Sequence, residues 1–172
     1  MEIRTVASFL DYWRNIRGRT RKVVQCIPED RLEWSYKPGR FTLGDLARHL
    51  PAVERYMYAE TVNGRPSAYQ GCGPELASGI DAVLSYMDRS HAESIELFEQ
   101  LRDEDLQRKC QTPAGTPITT WKWLRAMVEH EAHHRGQIYL ILGMLDVATP
   151  PIFGLTAEEL QARSVPLASG AR

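Results

Sequence analysis

Residues 119–145 read TTWKWLRAMVEHEAHHRGQIYLILGML. Leu124, Met127, Val128, Ile138, Ile141, Leu142 and Leu145 recur there at intervals of three and four, the period of an amphipathic helix, and Pro150-Pro151 ends it. Three segments upstream share that period. From about Thr5 to Cys26, Val6, Phe9, Leu10, Trp13, Ile16, Val23 and Val24 form one stripe, and Arg14, Arg17, Arg21 and Lys22 read as the opposite, polar face. A second helix is expected from Thr42, where Thr42-Leu43-Gly44-Asp45 forms a capping box with Asp in place of Glu. Its stripe, Leu43, Leu46, Leu50, Val53 and Met57, runs toward Asn63-Gly64, and because it continues past Pro51 that proline predicts a bend and not a break. A third helix is expected from about Glu75 to Leu101, carrying Leu76, Ile80, Val83, Leu84, Met87, Ile95, Phe98 and Leu101. Residues 64–74 and 109–118, punctuated by glycine and proline, read as loops, and no strand pair is expected. Thr156-Ala157-Glu158-Glu159 is a further capping box that opens a short last helix, and Ser164 to Arg172 read as a frayed end. The expected fold is all-α: a four-helix bundle over residues 1–150 with a C-terminal extension over 151–172.

The composition is that of a folded soluble chain. Of 172 residues, 43% are hydrophobic and 25% charged, which argues against wholesale disorder. A net charge of −1 gives no electrostatic footprint for nucleic acid or an anionic membrane, so neither is an expected partner. No run approaches the roughly 18 apolar residues of a membrane span. Charges at Arg4, Asp11, Arg14 and Arg17 interrupt what would be the apolar stretch of a secretory leader. Cys26, Cys72 and Cys110 are far apart and odd in number, which points to free thiols and a cytoplasmic location.

Chemistry in a bundle is built from side chains that point inward. Three of the five histidines lie in Glu129-His130-Glu131-Ala132-His133-His134-Arg135-Gly136-Gln137. His130 and His134, at i and i+4, are neighbours on one helix face and can aim two imidazoles at one ion. His133 is turned about 100° away from His134. The glutamate placement of a zincin H-E-x-x-H is not met, because His130 and His133 are three residues apart. A third ligand is expected from another helix. Spacing leaves two candidates: His49, on the stripe of the second helix, and His91, four residues after Met87 on the third. Glu131 is a candidate base and Arg135 a candidate holder of an anion, while Tyr56 and Trp123 are candidate pocket walls.

The stretch Phe41-Thr42-Leu43-Gly44-Asp45-Leu46-Ala47-Arg48-His49-Leu50, with Val53-Glu54-Arg55-Tyr56 after it, resembles the second-helix motif of the DinB/YfiT superfamily. Glu129 to Ile138 resembles its fourth-helix motif, and Leu32-Glu33-Trp34 with Pro38-Gly39 resembles the segment before the second helix. The resemblance spans roughly residues 5 to 150. It implies a four-helix bundle, often with a crossover and often a homodimer, and a divalent metal held by His49, His130 and His134. Three neutral imidazoles suit zinc, nickel, iron(II) or copper, and the resemblance implies a metal-dependent S-transferase or hydrolase that activates a low-molecular-weight thiol or water toward a small-molecule substrate. A metal-binding stress-response protein without catalysis, and a dimeric interaction module without metal, are the alternative readings. Because imidazole binds metal only when neutral, occupancy is expected to fall as pH drops through about 6.5.

Overall fold

The computed structural model describes residues 2–165. The end of the frayed segment expected from Ser164 onward therefore lies outside the described residues. The chain forms α1 (Val6–Val24), α2 (Leu43–Val53), α3 (Ala59–Val62), α4 (Ile80–Phe98), α5 (Thr120–Met144) and α6 (Ala157–Arg163). A π-helical turn, Glu54–Tyr58, joins α2 to α3, so the two make one helical arm. Four arms result: α1, α2–α3, α4 and α5. The first and second arms each pack extensively against α4 and α5. They therefore sit diagonally across the bundle, and the connection from α1 to α2 crosses its end. No helix among the described residues is long and apolar enough to cross a membrane.

Local chemistry explains the helix starts. The Thr5 hydroxyl accepts from the Ser8 amide at 3.3 Å. Thr42 and Asp45 make the reciprocal capping box, both bonds at 2.9 Å, and Thr156 and Glu159 repeat it at α6. The second arm runs on through Pro51, which has no amide to donate to Ala47, and widens into the π turn three residues later.

Two expectations are corrected. The third helix starts at Ile80 and not at Glu75, because its cap comes from afar: Glu29 accepts from the Ile80 amide at 2.8 Å, after Gly79 turns the chain at φ +87°. Residues 109–118 are not simply a loop. Lys109–Gln111 (β1) and Pro117–Thr119 (β2) pair antiparallel, with Cys110 opposite Ile118. Their turn is closed by the Thr112 amide on the Thr116 carbonyl at 3.0 Å and by Gly115 at φ +77°.

The bundle has two hydrophobic cores. One gathers Phe9, Trp13, Ile16, Val53, Phe98, Leu124 and Met127. The other gathers Val23, Leu43, Leu46, Leu50, Val83, Met87, Ile138 and Leu142. Along α1, Arg17 and Thr20 fall between them; along α5, residues 130–135 do. The interval is a buried polar layer. Arg17, expected on the polar face of α1, is only 3% exposed. Its guanidinium donates to Glu54 of the π turn and stands 3.2 Å from Glu131 of α5. Glu54 also accepts from Trp13 Nε1 at 2.6 Å and contacts His91 Nδ1 at 2.8 Å. Arg135 donates to the Thr20 hydroxyl at 3.4 Å.

Removing one partner of such a set leaves a buried charge without its counterion. Arg17→Met is expected to cost about 3–5 kcal/mol. Adding Glu54→Gln to it should recover much of that loss, because Glu131 and Arg135 then remain as opposite charges in the layer. Urea unfolding of both variants checks this.

Candidate metal centre

The capping box at Thr42 sets the phase of α2 and turns His49 toward α5. One turn of α5 presents His130 and His134 on the same face. The three half-buried imidazoles converge: one nitrogen from each lies within 4.8 Å of the others. His49 Nε2 and His130 Nε2 are 3.1 Å apart. Two nitrogens bound tetrahedrally to one zinc lie about 3.3 Å apart, so the donor set fits a divalent ion.

The outer nitrogens are engaged as metal-binding imidazoles require. His134 Nδ1 donates to Gln137 Oε1 at 2.6 Å, which leaves its Nε2 bare. His49 Nδ1 is 2.8 Å from the Tyr69 hydroxyl; with Nδ1 as donor, its Nε2 lone pair also faces the cluster. Tyr69 stands on the loop between α3 and α4. The fully buried Arg48 ties α2 to that stretch by donating to the carbonyls of Cys72 at 2.9 Å and Ala77 at 3.1 Å. Arg48 also grips Glu33 in two bonds of 2.8 and 3.0 Å. A Cβ at position 44 would meet Glu33 Oε1 at 2.7 Å and Arg48 Nη2 at 2.8 Å, so a larger residue there would push apart the ends of this ion pair.

Burial and the neighbouring His134 charge hold His49 down at about 4, and burial with the adjacent imidazoles holds His130 at about 3. His134 is also lowered, by burial first. All three are therefore shifted toward the neutral form that can bind a cation, His49 and His130 furthest.

The remaining sequence candidates lie elsewhere. His91 does not join the cluster; it pairs with Glu54. His133 is exposed beside His134, with ring centroids 4.9 Å apart. Glu131 and Arg135 are buried beneath the ligand pair, toward α1, and lie outside the cluster. Burial pushes the Glu131 carboxyl up and the Arg135 guanidinium down. Trp123 donates to the Thr61 hydroxyl at 2.9 Å and packs on Tyr58, and Tyr56 is half-buried under Arg55. An open groove of about 570 Å³ adjoins the cluster at His134, lined by Tyr36, Arg40, Phe41, Leu140 and Met144 among others. Neither Tyr56 nor Trp123 lines it.

Tyr69 and Arg48 were not singled out from the sequence. Tyr69 sits in a loop without periodicity, and Arg48 looks like any charged neighbour of an inward residue. Gln137 carried a signal, since it lies three residues after His134 on the same helix face.

Two outcomes follow from this geometry. Tyr69→Phe and Gln137→Leu should each weaken metal binding by about 10–100-fold without removing it, read by competition with a chelator. The pH dependence should differ from that of free histidine. Protons compete at His49 and His130 only as pH approaches the low values held there, so the loss of affinity should set in below the ordinary histidine range and be complete toward pH 4. A midpoint near 6.5 in the same titration would contradict it.

Comparison with known proteins agrees with this architecture. The uncharacterized protein YrdA of Bacillus subtilis (strain 168) is 26% identical over 156 residues, covering 90% of this chain and 92% of that one. The uncharacterized protein YjoA of the same organism is 25% identical over 141 residues, covering 78% and 84%. A crystal structure of a DinB-like protein from Bacillus cereus ATCC 10987 superposes with a TM-score of 0.75 at 19% identity, covering 86% of this chain and 97% of that one. The crystal structure of the DinB-like protein YjoA from Bacillus subtilis gives a TM-score of 0.69 at 18% identity, covering 84% and 96%. Residues 12–138 match the DinB superfamily across both histidine-bearing arms, and the chain belongs to that superfamily.

Proposed function

We propose that the protein binds one divalent metal through His49, His130 and His134 and uses it as a metal-dependent enzyme of the S-transferase or hydrolase type. The observation that carries this reading is the convergence of three neutral imidazoles beside a groove. A closed structural site would have no such approach for a substrate. Neutral imidazoles suit zinc, nickel or iron(II). A bound ion would lower the pKa of a coordinated low-molecular-weight thiol or water and supply a nucleophile at neutral pH.

The chain's own contribution is placement. Tyr69 and Gln137 fix the ring orientation of His49 and His134. In this proposal Glu131 and Arg135 act from beneath: Glu131 stands against Arg17, Arg135 holds Thr20, and both set the rotation of α5. A proton-carrying role for Glu131 would have to pass through that buried layer. The three free thiols suit a reducing, cytoplasmic setting. The exposed Tyr139, Phe153 and Leu160, which do not line the groove, suit contact with a second copy.

The test is elemental analysis of untagged protein. About one equivalent of zinc, nickel or iron should be present and absent from His49→Ala, His130→Ala and His134→Ala alike. His91→Ala and His133→Ala should keep it. Absence of metal after reconstitution with each ion would end the catalytic reading.

A further inference from the structure

Four of the large apolar side chains left in water on this protein meet at one place. Phe41 is 46% exposed, Tyr36 57%, Met144 61% and Leu140 66%, and all four line the groove beside the histidine cluster. Its volume of about 570 Å³ is that of a small-molecule site. His134, alone of the three cluster histidines, forms part of its wall.

Arg40 lines the same groove. Its guanidinium makes no ion pair among the described residues and is open to water, whereas Arg17 and Arg48 are engaged by carboxylates and Arg135 is buried against the Thr20 hydroxyl. The backbone of Arg40 is fixed. Its amide donates to the Lys37 carbonyl at 3.1 Å, its carbonyl accepts from the Ser35 hydroxyl at 3.2 Å, and the turn is made by Gly39 at φ +77°. An exposed cation on an anchored turn thus stands at a largely apolar groove that reaches a candidate metal ligand.

We infer that this groove binds a small organic acid. An aromatic or branched aliphatic body packs against Phe41, Leu140 and Met144, and its carboxylate pairs with Arg40. The apolar walls supply affinity and Arg40 selects the anion. This deepens the proposed function by naming its substrate class, and rests on that reading for what happens to the bound molecule. Binding itself draws on side chains outside the metal cluster.

The probe is 4-phenylbutyrate, with its uncharged amide as the matched control, titrated calorimetrically into the full chain, both metal-free and zinc-loaded. The acid should bind about fivefold more tightly than the amide. Arg40→Gln should abolish that preference and leave the amide unchanged. Leu140→Asp, at a site open to water, should weaken both. Equal binding of acid and amide to the unaltered protein, or binding of neither, overturns the proposal. It is also overturned if sedimentation shows a dimer that Leu140→Asp splits and the probes bind only the monomer, for the face then belongs to a second copy. Acid binding by a protein that takes up no zinc supports the groove and defeats the metal reading, while zinc uptake without acid binding does the reverse.

Discussion

One guanidinium between two carboxylates governs the architecture. Arg17 of α1 is buried between Glu54 of the π turn and Glu131 of α5. Taking three charges out of water costs several kcal/mol per ion unless each finds partners. Glu54 finds them in Trp13, His91 and Arg17, and its carboxyl is held below the ordinary range even though burial alone would raise it. Glu131 is less well served. It faces Arg17 at 3.2 Å without hydrogen-bond geometry, and burial wins, pushing its carboxyl up. The layer holds only while α1, the second arm, α4 and α5 keep their relative rotation, since each contributes a group to it.

That constraint reaches the histidines through the backbone. Glu131 follows His130 directly, and Arg135 follows His134. The turn of α5 that points Glu131 and Arg135 at α1 must therefore point His130 and His134 toward the second arm. On that arm, Arg48 inside the fold and the capping box at Thr42 fix the rotation that presents His49. Nothing in the cluster needs flexible positioning. Its geometry follows from two rotations, each fixed by buried charges.

The stripes of α1, α2, α4 and α5 were legible because burial enforces a helical period on apolar residues. The pairing of His130 with His134 was legible for the same reason, and the superfamily resemblance pointed to His49 over His91. What escaped notice depends on contacts distant in sequence. Arg17 lies within the arc of Trp13, Ile16 and Thr20, yet its charge suggests the polar face; only Glu54 and Glu131 make its burial affordable. The true start of α4 depends on Glu29, some fifty residues earlier. Tyr69 has its role because Arg48 ties the neighbouring chain to α2. The β1–β2 hairpin is too short for periodicity to register, and its two prolines favour a loop reading.

Stability alone does not account for the polar layer. Apolar residues of similar volume in place of a buried ion set are often neutral or stabilising, and the cores on either side supply the shapes to match. The layer's formal charges balance, two arginines against two glutamates, so it adds no net charge beneath the adjacent cluster. It also fixes helix rotation by directional bonds, which apolar packing does less sharply. Three imidazoles that meet at one point need rotation set to within a fraction of a turn, and a polar layer with groups from all four arms meets that demand. The rotation of α5 that seats Glu131 and Arg135 in this layer is the same rotation that brings His130 and His134 to His49.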